Sequence, residues 1–353
     1  MKLQMYGKRR KKFLMRVSIL ILILLIILAL LVSSMGVNSD KKISTADTGK
    51  VVLSQKNIPV VKIPKDKNGN IYMQQNKIYK KYTVNISSAN KNVSYEESGN
   101  LVVISFNKGV PLTGNTQISD SNLKDINITE ANGKENLLIK KVNKDNNFVN
   151  INEGKDNNQV IILISKVKKP LTHKAVLNPG HGGLDSGTTV GNFQEKNITL
   201  RIVKLMVSDL EYSGVEVVLT RDKDEGQALA DIADFANKNK PDVFMSVHIN
   251  CMTKNPNKYS GIGAYYYDEN GYQTNERMRL ANTVIKNTTL KDGWKNDGVV
   301  RAKYKVIRLS KAPSVLVEAG YLTNVNDRAR LQDERILGNL ANNLSKAIVE
   351  FVH

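Results

Sequence analysis

Three differently patterned stretches follow one another along the chain. The first is an uncharged run from Val17 to Val37, rich in Ile and Leu, preceded by Lys8, Arg9, Arg10, Lys11, Lys12 and Arg16. As a helix its 21 positions would reach ~31 Å at ~1.5 Å per residue, enough for a bilayer core of ~30 Å. Nothing along the run supplies a polar face, which excludes an ordinary amphipathic core helix. The pattern therefore predicts a transmembrane anchor over 17–37, with 1–16 as a basic segment kept in the cytoplasm. The run is longer than a signal-peptide core and no A-x-A cleavage site follows it, so the anchor is expected to stay attached. This places the chain in the cell membrane as a single-pass protein with its later domains outside the cytoplasm.

Residues 38–50 are polar and read as a linker. Between 51 and 168 the apolar runs are short, as in Leu101 to Phe106, Leu137 to Ile139 and Val160 to Ile164, and turn signals such as Asn68-Gly69 and Asn132-Gly133 separate them. With no long 3.6-residue period, this stretch predicts a small, mostly-β domain. Lys168 to Lys174, containing Pro170, is a short joint.

From 174 to 353 the pattern alternates. Strands are predicted at Ala175 to Leu177, Val215 to Leu219, Val243 to Ile249, Ile262 to Tyr267 and Val315 to Glu318. Helices are predicted through Ile198, Ile202, Leu205, Met206 and Leu210, stopping at Gly214, then over Ala228 to Asn237, near Met278 to Asn287, and through Leu337, Leu340, Leu344, Ile348 and Phe351. Such alternation predicts an α/β domain, a mostly parallel sheet with helices on both faces, whose reactive groups belong at strand ends.

Composition narrows the chemistry. A single cysteine, Cys251, excludes an internal disulfide framework and a cysteine-based zinc knuckle, so a metal would need His and carboxylate ligands. The net charge is +19, of which the seven Lys and Arg of residues 1–37 are unopposed by acids, leaving +12 beyond them. Outside a membrane that charge meets anionic wall polymers and carboxylate-bearing glycans, and nucleic acid is not an expected partner.

Four positions stand out in the alternating half. His181 follows the first strand in Asn178-Pro179-Gly180-His181-Gly182-Gly183; Glu195 opens the next helix; His248 ends a strand in Ser246-Val247-His248-Ile249-Asn250; Glu318 ends another in Val315-Leu316-Val317-Glu318-Ala319-Gly320. Singly, each has an ordinary structural explanation in a hydrogen bond or a helix dipole. Glu318 is the odd one, since a carboxylate behind three apolar residues needs a partner. Jointly, two His and one carboxylate form a zinc set with a fourth position open to water, and a second carboxylate beside it can move protons.

With these blocks the chain resembles the zinc-dependent N-acetylmuramoyl-L-alanine amidases whose catalytic domain opens with a Gly-His-Gly-Gly motif. The matching segments are Leu177 to Gly187, Glu195-Lys196-Asn197-Ile198-Thr199-Leu200, Val218-Leu219-Thr220-Arg221-Asp222, Ser246 to Asn250, and Pro313 to Asn324. The resemblance covers the second half only. It implies that His181, Glu195 and His248 hold Zn²⁺ and that Glu318 is the catalytic carboxylate. The implied substrate is peptidoglycan, cut by zinc-activated water at the amide between N-acetylmuramic acid and L-Ala. Asn250 and Arg221 are candidate substrate contacts, with a structural ion pair as the alternative for Arg221, and Cys251 is expected to fill a small apolar space beside the site. Ile232 stands where relatives often carry Arg, and Thr188 and Thr189 replace a small residue; neither removes a ligand. Between Ala281 and Pro313 there is no room for the long blocking helix some relatives carry. The 51–168 domain is similar in outline to the β-sandwich modules that precede wall amidases in some bacteria, which implies wall binding. Two other classes share these features: a zinc peptidase acting within the stem peptide, and a non-catalytic wall-binding tether.

Overall fold

The computed structural model describes residues 71–85, 93–98, 100–107, 126–131, 134–141, 149–154, 159–289 and 293–353. The predicted anchor at 17–37, its basic flank and the linker lie outside these residues. Among the described residues no helix is long and apolar enough to cross a membrane.

Among its described residues the first part is all β, as its short runs predict. Eight strands form two four-stranded antiparallel sheets. One has the order β1 (Ile71–Gln75), β2 (Tyr79–Asn85), β8 (Gln159–Ser165), β7 (Val149–Glu153). The other runs β3 (Val93–Ser98), β4 (Leu101–Asn107), β6 (Lys134–Lys140), β5 (Ile126–Ala131). Side chains on a strand alternate between faces, and Val102, Ile104 and Phe106 of β4 meet Tyr82, Val84, Ile162 and Ile164 of the opposite sheet in one buried cluster. β8 is different because Val160 to Ser165 are buried on both faces. Its second face carries Ile161 and Leu163, which pack with Tyr79 and Tyr212 in a small cluster against the following domain.

The second part is a six-stranded sheet in the order β12 (Val215–Leu219), β9 (His173–Pro179), β13 (Val243–Asn250), β16 (Ser314–Tyr321), β14 (Ile262–Tyr266), β15 (Asn296–Arg301). The first four are parallel, β14 is antiparallel to β16, and β15 is parallel to β14. Two-residue strands β10 (Thr189–Val190) and β11 (Phe193–Gln194) make a separate hairpin. The central strands are buried on both faces, which is why they read as unbroken apolar runs.

Helices cover both faces. On one lie α1 (Glu195–Tyr212), α3 (Thr274–Thr289) and α6 (Glu334–Val352), contributing Ile202, Met206, Leu280, Val284, Leu340 and Leu344 to the main core. On the other, α2 (Leu229–Asn239) and the short α4 (Lys305–Leu309) bring Ile232, Ala236, Val306 and Ile307 over Val176, Phe244 and Leu316. The apolar spacing of α6 predicts it well, and its start is set by Asp333, whose carboxylate accepts from the amides of Arg335 and Ile336. The preceding α5 (Val325–Gln332) is capped in the same way by Asn324.

β15 escapes prediction because it is a half-exposed edge strand containing Asp297-Gly298, a turn signal rather than a strand signal. The approach to β16 depends on a buried cation. Arg277 of α3 donates to the carbonyls of Tyr267, Ile307, Ser310 and Ala312, tying the α4–β16 loop to the helix. Without it the Tyr267 and Ser310 carbonyls lose their donor, while those of Ile307 and Ala312 keep the hydroxyls of Ser314 and Ser310, and unsatisfied buried groups cost ~1–3 kcal/mol each. Arg277→Met is expected to lower unfolding free energy by at least ~2 kcal/mol in denaturant titration. Arg279→Met, at an exposed neighbour on the same helix, should change it far less.

Candidate metal centre

β9, β13 and β16 end together at one edge of the sheet. Their register places Ser246 beside Asn178 and His248 beside Glu318. Residues paired across a ladder point to the same face, so His248 and Glu318 leave the sheet side by side. The strand ends are tied by a buried polar chain in which Ser246 donates to Asn178 Oδ1 (2.7 Å) and Asn178 donates to Thr220 Oγ1 (2.8 Å).

His181 sits just beyond β9 with φ +61, inside a glycine-rich loop. Lack of a side chain is needed here for closeness as much as for backbone freedom. A Cβ on Gly180 would lie 2.4 Å from the His248 ring, and one on Gly187 (φ +63) would lie 2.6 Å from both Glu195 Oε2 and His181 Cδ2. The loop is fastened from outside. Lys196 Nζ bridges the Gly183 carbonyl (2.8 Å) and Asp224 Oδ2 (2.7 Å), while the Gly183 amide donates to Asp224 Oδ1 (2.7 Å).

Glu195, in the first turn of α1, is 3% exposed and collects four donors. His181 Nε2 (3.0 Å), His248 Nδ1 (3.1 Å) and the Ile249 amide (2.9 Å) surround its Oε1, and the Thr188 amide donates to Oε2 (2.9 Å). Burial alone would raise the pKa of this carboxyl, but the hydrogen bonds from His181, His248 and Ile249 overcome it and hold the group well below the usual range. His181 responds in the opposite sense. Its hydrogen bond to Glu195, helped by Asp185 and opposed by burial, pushes it up to about 9.

His181, Glu195 and His248 offer one ligand atom each within 4.8 Å of one another. Donors ~2.0–2.2 Å from a tetrahedral zinc stand ~3.3 Å apart, close to the spacings around Glu195 Oε1. Asp185 Oδ2 lies 2.8 Å from His181 Nδ1, which fixes that proton and aims the Nε2 lone pair inward. The donor set therefore suits zinc. Glu318 adds a carboxylate whose Oε2 is buried without a hydrogen-bond partner among the described residues. Burial, with the nearby Glu195 charge, pushes Glu318 up to about 8.

All four residues singled out in the sequence are thus brought to one place. The two tentative contacts behave differently. Asn250 stands at the rim, its Oδ1 accepting from the Cys251 amide (2.8 Å). Arg221 is 2% exposed, and its guanidinium donates to the carbonyls of Pro179, Gly180, Lys196 and Lys223. It holds the His181 loop to α1, so it is neither a solvent-facing substrate contact nor an ion pair. Cys251 is exposed and fills no core space, since it lies just past the end of β13. Asp185 and Lys196 were legible only as parts of the matching blocks; their bonding roles appear in the fold.

Residues 175–350 match the family model described as N-acetylmuramoyl-L-alanine amidase. Among curated relatives, N-acetylmuramoyl-L-alanine amidase LytC of Bacillus subtilis is 32% identical over 172 residues, 48% of this chain and 34% of LytC. The endolysin of Bacillus phage SPP1 is 34% identical over 181 residues, 50% of this chain and 65% of the endolysin. The chain thus spans less than two thirds of either relative. Of solved structures, N-acetylmuramoyl-L-alanine amidase AmiC2 of Nostoc punctiforme is 36% identical, with 52% of this chain and 97% of that one aligned at a TM-score of 0.46.

Because His181 is protonated up to about pH 9 in the metal-free site, an entering cation must displace its proton. Zinc added to metal-free protein at pH 7.5 should release about one proton per ion, and apparent affinity should rise about tenfold per pH unit below pH 9. Calorimetry in buffers of different ionisation enthalpy reads both.

Proposed function

We propose that this chain, whose residues 175–350 belong to the N-acetylmuramoyl-L-alanine amidase family, hydrolyses the amide joining the lactyl group of N-acetylmuramic acid to L-Ala of the peptidoglycan stem. In this reading His181, Glu195 and His248 hold Zn²⁺ and Glu318 carries the proton. The supporting observation is the pairing of a two-imidazole, one-carboxylate donor set with a buried carboxylate oxygen that has no hydrogen-bond partner among the described residues.

A bound zinc would supply a Lewis acid able to lower the pKa of water from ~15.7 toward ~7. The protein's own groups do the rest. Glu195 neutralises part of the ion's charge and, through the Ile249 and Thr188 amides, stays fixed while doing so. Asp185 keeps the proton on His181 Nδ1. Glu318, raised to about 8 by burial, is poised near neutral pH to take a proton from the attacking water at its free Oε2. It then returns that proton to the departing L-Ala nitrogen.

The basic flank and apolar run at 17–37 support an anchored, outward-facing enzyme, and the cationic balance of the remainder suits the anionic wall. Protease added to wall-less cells should then digest the C-terminal domain; complete protection would place it inside.

Purified chain incubated with peptidoglycan should release peptides beginning with L-Ala, read by mass spectrometry. A new terminus later in the stem would indicate a peptidase, and binding without any new terminus a tether. Glu318→Gln should keep its zinc and melting temperature while turnover falls about 10²- to 10⁴-fold. Joint loss of zinc would make Glu318 a ligand; undiminished turnover would remove it from the mechanism.

A further inference from the structure

Beyond the four residues already placed, one hydroxyl is built into the same edge of the sheet. In the antiparallel pairing of β14 with β16, Gly263 lies directly opposite Glu318 and Tyr265 opposite Leu316. Gly263, Tyr265 and Glu318 therefore share one face. The Tyr265 ring does not stand over its own position. It folds back across Gly263, so that a Cβ there would lie 3.0 Å from Tyr265 Cε2 and 3.4 Å from the phenol oxygen. Glycine opens this seat, and it carries the hydroxyl along the strand toward Glu318. Tyr304 closes the other side, its ring edge-on to that of Tyr265 at 5.4 Å and 79°.

The phenol is also oriented. Asn250 Oδ1 is occupied by the Cys251 amide, and the Asn250 side chain opposes the rise in the Tyr265 pKa, as a donor facing the phenol oxygen does. Since Asn250 is the donor in that contact, the phenolic hydrogen is left to donate elsewhere. The hydroxyl feels Glu318, and with burial as the larger cause it is pushed up to about 12. It stays protonated across the physiological range, as a donor must.

We infer that Tyr265 is a further catalytic residue, whose hydroxyl, seated on Gly263 and aimed by Asn250, donates a hydrogen bond to the scissile carbonyl oxygen as it gains negative charge. The proton stays on the phenol throughout, and the bond strengthens only in the transition state. Asn250 is then a positioning residue rather than a substrate contact. This rests on the amidase reading above, and the two can fail separately.

The test compares wild type, Tyr265→Phe and Glu318→Gln on a soluble muropeptide. Tyr265→Phe keeps the ring on Gly263 and removes only the hydroxyl, so zinc content and melting temperature should hold. Losing one oxyanion donor typically costs about 10²- to 10³-fold in kcat, with KM little changed. A phosphinate analogue of the scissile amide, which presents a tetrahedral anionic centre, should bind Tyr265→Phe more weakly by a similar factor. Gly263→Ala, which displaces the ring but keeps the hydroxyl, should lower kcat as well. Wild-type kcat in Tyr265→Phe, or a rise in KM alone, would overturn the inference while leaving the amidase reading intact. A wild-type protein that releases no L-Ala amino ends would overturn both.

Discussion

A buried carboxylate with four N–H partners organises this molecule. Glu195 is almost wholly withdrawn from water, and an unpaired charge there would be costly enough to change protonation state or unfold its surroundings. The two imidazoles and two amides that surround it remove that cost. Meeting this demand fixes the neighbourhood. Gly180 and Gly187 can have no side chain, because the ring of His248 and the carboxylate of Glu195 occupy those spaces. His181 must take a left-handed backbone, and Arg221 must fasten the carbonyls of its loop.

The sheet supplies the other half of the arrangement. Parallel strands bring all their C-terminal ends to one edge, so residues distant in sequence meet there without long connections. His248 and Glu318 are paired in register on adjacent strands. The reversed strand β14 then presents its start to the same edge, which is how Gly263 comes opposite Glu318. One reversal in an otherwise parallel centre thus adds a wall to the site. The β-sandwich at the N-terminal side braces the far end of α1: Asn152 and Asn150 donate to Glu211, and Lys81 pairs with Asp209 at 3.2 Å. The helix that begins at the candidate metal centre therefore ends against the preceding domain.

The parallel core was legible because strands buried on both faces have no option but continuous apolar sequence, and α6 because its core face repeats every three to four residues. The four principal site residues were legible because strand ends and helix starts are where polar groups interrupt such patterns. What stayed hidden depends on contacts that no local pattern encodes. Arg221 looks like any strand-end arginine until its carbonyl partners are placed around it. Tyr265 looks like one of three consecutive tyrosines, and only the register with β16 and the bare Cα of Gly263 distinguish it. β15 carries a turn dipeptide inside an edge strand, where exposure relaxes the usual demand for apolar residues.

Glu195 and the two imidazoles it gathers are expected to ligate one zinc ion together. X-ray absorption at the zinc edge of the metal-loaded chain tests this most directly. The expected spectrum has only nitrogen and oxygen neighbours at ~2.0–2.2 Å, with the outer-shell scattering of two imidazoles, and His248→Ala should remove one of them. Scattering from fewer than two imidazoles, or from sulfur at ~2.3 Å contributed by Cys251, would contradict it.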